Sequence, residues 1–464
     1  MAKKMWGGVF KKKTHPSVEG FTSSIGFDYL LAPYDVQASI AHVKMLAKTK
    51  VISGTDASKL TVALGCILKE IQSGYFKFDP KYEDIHSCIE AALEKKIGKT
   101  AQKLHIARSR NDQVSLDTRL YCRDKISQTI RLLENLQAAF LNSAKKYQGL
   151  IIPGYTHLQR AKLIRYAHYM FAYIEMLERD KERLQDAYKR VDCLPAGSVA
   201  LAGTSLKINR AYLAKLLGFL RICGNSIDAV SDRDFVAEII FVLSLAGMHL
   251  SRFAEDMIIY VSSEFGYFEI DDAFATGSSI MPHKKNPDIL ELIRGLTGKL
   301  YGDLVNILTV LKGLPLSYNR DLQHDKPALF DAFKSAETAI AILTRLVGNL
   351  KPNRPKLAEA AKDGVFYATD VMEYLIKKGL SRKAAHDIVG KVVRYAGGKN
   401  KQISELNLAQ WKSFSQKFER DVYALFDPSK SVDSKASFGG TSARNVKRQI
   451  EYWQRKLNNA RIQI

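Results

Sequence analysis

The chain has 464 residues, 46% of them hydrophobic and 25% charged. That is enough apolar material for a large core in two or three packed units, and it excludes a chain that stays disordered. Seventy Lys and Arg against 48 Asp and Glu give a formal net charge of +22, which fits either a polyanionic partner or a basic surface around a site for an anionic substrate.

From the N-terminus, Met1-Ala2-Lys3-Lys4-Met5-Trp6-Gly7-Gly8 has no apolar stretch of the secretory kind, and Lys11-Lys12-Lys13 reads as a solvated arm. The basic residues are spread along the whole chain. No zinc-finger spacing, RNP-type aromatic motif or helix-turn-helix signal accompanies them, so no nucleic-acid partner is expected. Prolines are absent between Pro80 and Pro153, between Pro195 and Pro282, and between Pro355 and Pro428, and such intervals are where long helices can run. Periodicity agrees. Ile126, Ile130, Leu133, Gln137, Phe140 and Ala144 form one heptad-like seam, and Met170, Ile174, Leu177, Leu184, Tyr188 and Val191 form a second. Val236, Ile240, Leu243, Gly247, Leu250, Ala254, Met257 and Val261 form the clearest, and Ile293, Leu296, Leu300, Leu304 and Ile307 a fourth. The most apolar stretch, Ile239 to Leu250, is too short to span a bilayer and is flanked by Glu238 and Arg252. Cys66, Cys88, Cys122, Cys193 and Cys223 show no metal-ligand spacing and fit reduced thiols in the cytoplasm. The expectation is a soluble, cytoplasmic, mainly α protein with no membrane partner. Its N-terminal mostly helical domain is 1–102, its central bundle of long helices 103–353, and its small helical C-terminal domain 354–464. Faces this long call for an oligomer.

Four polar segments interrupt the helical pattern. In Leu104-His105-Ile106-Ala107-Arg108-Ser109-Arg110-Asn111-Asp112-Gln113, two arginines and an amide just before a helix could grip a carboxylate; equally, Asn111 or Asp112 could be an N-cap beside exposed arginines. In Pro153-Gly154-Tyr155-Thr156-His157-Leu158-Gln159, a histidine between a Pro-Gly turn and a helix start is either a proton carrier or a satisfied structural histidine. The segment Gly277-Ser278-Ser279-Ile280-Met281-Pro282-His283-Lys284-Lys285-Asn286-Pro287 combines small hydroxyl residues with two cations ahead of a helix start at Pro287. It suits stabilisation of an oxyanion, or a plain surface turn. Leu314-Pro315-Leu316-Ser317-Tyr318-Asn319-Arg320-Asp321-Leu322-Gln323-His324-Asp325-Lys326 reads as a recognition stretch or a solvated loop. Neither GxxxxGK[ST] nor GxGxxG occurs.

Together these segments resemble a known family. The third is similar to the signature of the fumarase/aspartase superfamily, and ARSRNDQV, PGYTHLQRA and YNRDLQHDK resemble its argininosuccinate lyase branch and the related lens crystallins. Further matches run from Trp6-Gly7-Gly8 and Tyr34-Asp35-Val36 through the stretch from Ala229 to Phe235 to Phe438-Gly439-Gly440-Thr441. The resemblance implies a three-domain fold whose central long-helix bundle forms a tetramer core, with active sites built by three subunits. It implies cleavage of argininosuccinate to arginine and fumarate with no cofactor and no metal. Ser278 would abstract the proton, with its alkoxide held by loop amides and Lys284. His157, oriented by Glu291, would be the acid or would position a water that serves. Ser24, on a mobile N-terminal loop, would contact substrate. Asn111, Thr156 and Asn286 would hold the succinyl carboxylates, and Tyr318, Gln323 and Lys326 the arginine moiety. Arg110 and Arg233 would be carboxylate-binding or supporting groups.

The sequence departs from the family pattern at His283, Ile106 and His324, and at Lys207 and Asn209 after Leu201-Ala202-Gly203-Thr204. Ile106 removes a hydroxyl. A non-catalytic scaffold protein, as among the lens crystallins, is the competing function class; Ser278, His157, Lys284 and Glu291 are all intact.

Overall fold

Among the described residues the five longest helices are Arg110–Lys146, Tyr166–Val191, Asp234–Val261, Asp288–Leu311 and Asp325–Asn349. The computed structural model describes Lys12 and residues 14–462; Trp6-Gly7-Gly8, and Lys11 and Lys13 of the basic run, lie outside them. Arg110–Lys146 and Asp234–Val261 fill the first two proline-free intervals. The third holds only the shorter helices Ala368–Lys377, Arg382–Gly398 and Leu408–Phe414. The break after the first of these is set by Gly379, whose φ of +93° is open to glycine and strained for other residues.

The predicted seams are buried. Val236, Ile240, Leu243, Ala254 and Met257 are fully enclosed, the four larger side chains each contributing roughly 1.5–3 kcal/mol by leaving water. The helix that carries them outruns the apolar stretch predicted from sequence, and by length and composition it could cross a membrane. Some 61% of its apolar window is buried inside the protein, the position of a core helix.

The described chain groups into two compact units. One comprises residues 1–131, 180–245 and 298–337, the other 132–179, 246–297 and 338–464. In the first, Tyr121 packs edge-on against Phe330 and Phe333, with ring centroids 4.7 and 5.9 Å away. In the second, Phe140 stacks on Tyr173 and meets Phe253 edge-on. Gln137, the polar member of its seam, donates from Nε2 to Ile174 O and to Glu178 Oε2 at 3.2 and 2.9 Å, so no donor is left unpaired there. Towards the C-terminus a cluster around Trp411, Phe418, Val371 and Val392 forms a local core.

Strands are few among the described residues: three two-stranded ladders. The longest, Ile151–Thr156 with Gln159–Arg165, is an antiparallel hairpin that bears on the site.

Candidate active site

In the first unit, Ser24, Asp28, Asp84, Arg110, Tyr318 and Lys326 line one cleft, together with His86, Arg320 and Gln323. Five residues singled out in the sequence (Ser24, Arg110, Tyr318, Gln323 and Lys326) are thus brought together from three distant stretches. Ser24 begins the short helix Ile25–Asp28, is buried, and donates from Oγ to Asp28 Oδ2 at 2.6 Å. Arg110 Nε pairs with Asp84 Oδ2 at 3.1 Å, and its Nη1 donates to Gln113 Oε1. Asp84 itself caps the helix Ile85–Ile97 through Ser87 N. Gln323 and Arg320 both donate to Thr22 O, and Arg320 also pairs with Glu83, tying the recognition stretch to the N-terminal segment.

Beneath the cleft lies a buried charge triad. Arg233 Nε donates to Asp325 Oδ2 at 2.5 Å, and Lys326 Nζ donates to Asp325 Oδ1 at 2.6 Å and to Leu322 O at 3.2 Å. Burial works to raise the Asp325 carboxyl, but the charges of Lys326 and Arg233 outweigh it and hold the group below the usual carboxylate range. Burial pulls Lys326 down, and Asp325 only partly restores it. Two cations share one carboxylate, so the triad leaves positive charge under the cleft.

The helix Arg110–Lys146 begins two residues earlier than an N-cap at Asn111 would set it. Ser109 precedes it: Asn111 N donates to Ser109 Oγ at 3.3 Å, and Ser109 N donates to Asp112 Oδ1 at 3.0 Å. Asp112 is therefore a capping residue, whereas Asn111 sits in the first turn and donates from Nδ2 to Ala200 O at 3.2 Å.

Deeper still, His86 Nδ1 lies 3.4 Å from Asp35 Oδ2 and 3.6 Å from Asp117 Oδ2, all three side chains being buried. Their ligand atoms fall within 4.8 Å of one another, a spacing a cation could use; Arg108 already brings positive charge to both carboxylates, and Arg110 to Asp117. Burial and the neighbouring Asp35 charge push Asp117 well above the carboxylate range. A carboxyl raised in the fold stabilises it fully below the unfolded value and loses that contribution as pH rises through the folded one. Between those two values wild-type stability should fall by up to about 1.4 kcal/mol per pH unit relative to Asp117→Asn. Urea midpoints of both proteins from pH 5 to 8 measure this; parallel curves would show that Asp117 carries no retained proton.

In the second unit, Thr156 and His157 stand at the hairpin end. The sequence suggested a helix start after His157; the chain instead turns back. His157 and Leu158 both have positive φ, 54° and 56°, and Thr156 pairs with Gln159, the geometry of a type I′ turn. Gly154 is required because a Cβ there would lie 2.7 Å from Lys162 O. Leu163 anchors the hairpin against Phe366, Tyr367 and Val432, which leaves Thr156 and His157 exposed.

The signature loop is closed at its neck by paired backbone hydrogen bonds: Asn286 N donates to Thr276 O at 2.8 Å, and Thr276 N to Asn286 O at 3.2 Å. Within it the N–H groups of Ile280 and Met281 donate to Ser278 Oγ at 3.3 and 3.1 Å. Lys284 is exposed on the same loop, and Lys285 pairs with Asp272. The helix runs Asp288–Leu311 with Pro287 O accepting its first amides, so proline caps it rather than opening it. Glu291 is exposed in the first turn, where an acidic side chain suits the helix dipole. Among the described residues no hydrogen bond or ion pair joins His157 to Glu291 or to Ser278.

The predicted residues thus divide. Ser24, Arg110, Asn111, Arg233, Tyr318, Gln323 and Lys326 belong to one unit, and Thr156, His157, Ser278, Lys284, Asn286 and Glu291 to the other. Sequence reasoning missed Asp28, Asp84, His86 and Arg320. Arg320 lay inside a quoted segment and could have been found; the others carry no local signal.

A family model described as Lyase matches residues 8–302, and one described as Argininosuccinate lyase C-terminal matches residues 365–433. A curated argininosuccinate lyase from Syntrophus aciditrophicus is 49% identical over 447 residues, 96% of this chain and 95% of that protein. One from Geobacter metallireducens is 45% identical over 447 residues, 96% and 98% of the two chains. Among solved structures, an EDDS lyase in complex with formate superposes with a TM-score of 0.84 at 28% identity, covering 97% of this chain and 92% of that one. A fumarate lyase:delta crystallin from Brucella melitensis gives 0.74 at 18% identity over 88% and 91%, a likeness of fold alone.

Proposed function

Because the chain belongs to the argininosuccinate lyase family, within the fumarase/aspartase superfamily, we propose that Ser278 and His157 carry its β-elimination of argininosuccinate to arginine and fumarate. The activity is that of a carbon–nitrogen lyase of the amidine class, as borne by relatives 45–49% identical over nearly the whole chain. The observation that supports Ser278 as base is its hydroxyl oxygen, which already accepts two loop amides. A serine is a feeble base unless its alkoxide is held by fixed dipoles, and amides aimed at Oγ hold charge there without reorganisation.

In this reading Ser278 takes the proton from the succinyl carbon beside a carboxylate. The electron pair left behind is stored as an aci-carboxylate, next to the Lys284 cation. That pair then forms the fumarate double bond while the bond from carbon to the guanidino nitrogen breaks. His157, oriented by Glu291, delivers the proton to the departing nitrogen directly or through a water. Asn286, Thr156, Asn111 and Ser24 hold the succinyl carboxylates. Tyr318, Gln323 and Lys326 take the arginine end over the positive triad, with Arg110 and Arg233 supporting. The enzyme works in the cytoplasm without cofactor or metal. Purified protein given argininosuccinate should generate the ultraviolet absorbance of fumarate; turnover of adenylosuccinate or malate in its place would move the reading to another branch of the superfamily.

The reading further requires a homotetramer in which three subunits complete each site. Tyr301, Val305 and Leu308, spaced four and three apart on one helix, are 46%, 63% and 53% exposed. Such a stripe on a helix surface calls for a partner. Val305→Asp should shift sedimentation from tetramer to smaller species and remove activity with it. A monomeric, fully active wild type would overturn the shared site. The domains 1–102, 103–353 and 354–464 are kept as part of this proposal, while each long helix contributes residues to both compact units.

A further inference from the structure

Cys193 and Cys223 stand 30 residues apart, yet their sulfurs are 3.2 Å from each other. A short parallel ladder puts them there. Cys193 pairs with Arg221 and Leu194 with Ile222, and Cys223 N donates to Leu194 O at 3.0 Å. Side chains alternate along a strand, so Cys193 and Cys223, diagonal neighbours in this ladder, project from the same face. Neither thiol has a part in the lyase chemistry. We propose that Cys193 and Cys223 are an oxidisable pair that forms a reversible disulfide and so ties down the 195–222 loop behind the first turn of the helix Arg110–Lys146.

The closure needed is small: a disulfide has sulfurs about 2.05 Å apart, so the pair must approach by roughly 1 Å. The oxidant belongs to the class of low-molecular-weight disulfides, such as oxidised glutathione. Cys193 is half-buried and accepts the hydrogen bond from the buried Cys223 thiol. The more accessible Cys193, as its thiolate, attacks the glutathione disulfide and displaces one glutathione thiol. Cys223 then gives up its proton and attacks the Cys193 sulfur, displacing the second. Two protein thiols and one glutathione disulfide become one protein disulfide and two glutathione thiols, a balanced two-electron exchange. Burial pushes the Cys223 thiol up to about 12, which makes its attack the slow step.

The bond would close the loop at its base. Inside that loop the Gly197 and Val199 amides donate to Asp112 Oδ2 at 3.0 and 2.9 Å, and Ala200 O accepts from Asn111. Arg210 reaches back from the loop's far side to Ala196 O and Leu194 O. Freezing the loop therefore freezes what holds Asp112 and Asn111.

The test uses full-length protein carrying Cys66→Ser, because Cys66 is exposed and would form a mixed disulfide of its own. After incubation with oxidised glutathione in the native state, thiols are counted in denaturant with a chromogenic disulfide reagent. Two of the remaining thiols should be lost and then recovered with dithiothreitol, and peptide mapping should find Cys193 joined to Cys223. With Cys193→Ser added, no pairwise loss should occur. Retention of every thiol in the first protein, or equal loss in both, overturns the proposal. Trypsin cleavage after the exposed Lys207 gives the second measure: oxidation should slow it at least about fivefold in the first protein and leave it unchanged in the second. A cross-linked protein nicked at the reduced rate refutes the tying of the loop.

Discussion

Ser278→Ala is expected to lower kcat for argininosuccinate cleavage by about 10³-fold, within the 10²–10⁴ range of a lost general base, with KM little changed. Among the described residues the hydroxyl's partners are the amides of Ile280 and Met281 in the same exposed loop. Its removal therefore strands no buried donor, and the fold and oligomer should survive. The reading is kinetic: an interaction made only as the proton moves lowers kcat and kcat/KM together, whereas a lost binding contact raises KM alone. Measured by fumarate release, with sedimentation as the control for assembly, residual activity above a tenth of wild type would remove Ser278 from the role of base.

Asp325→Asn is expected to destabilise the protein by about 3–5 kcal/mol, the usual consequence of removing one partner from a buried ion pair. Asp325 is fully buried and accepts from both Arg233 and Lys326. An amide of the same size fills the space but leaves two cations beside each other in a medium that solvates neither. Lys326, already pulled down by burial, then loses the charge that supports it and gives up its proton, so binding of an anionic substrate end should weaken as well. Urea unfolding measures the first effect and KM the second. Adding Arg233→Met should recover part of the stability, since a well-packed apolar group replaces a stranded charge. A loss below about 1 kcal/mol from Asp325→Asn would mean that the triad is relieved by water.

Those two residues show how unevenly the site could be read from sequence. Ser278 lay in a segment whose composition suited either an oxyanion site or a plain surface turn, and in the structure two loop amides donate to its oxygen. Asp325 was passed over, although it sits between Gln323 and Lys326, because nothing local says that it would be sealed between two cations. The hairpin was misjudged for a related reason. Pro153-Gly154 looks like a turn, but the reversal occurs at His157-Leu158, two residues without the Asn-Gly signal of a type I′ turn. What holds the hairpin is Leu163 against Val432 and Phe366, a contact some 200 to 270 residues long in sequence.

The sequence by itself determined the long helices, through apolar seams whose period is a local property of the chain, and the combination of its four polar segments determined the family. The tertiary structure alone decided which of those residues meet, which carboxyls are pushed above the usual range, and that two distant cysteines face each other. Burial and charge are set by neighbours drawn from remote parts of the chain. Periodicity reports only neighbours along it.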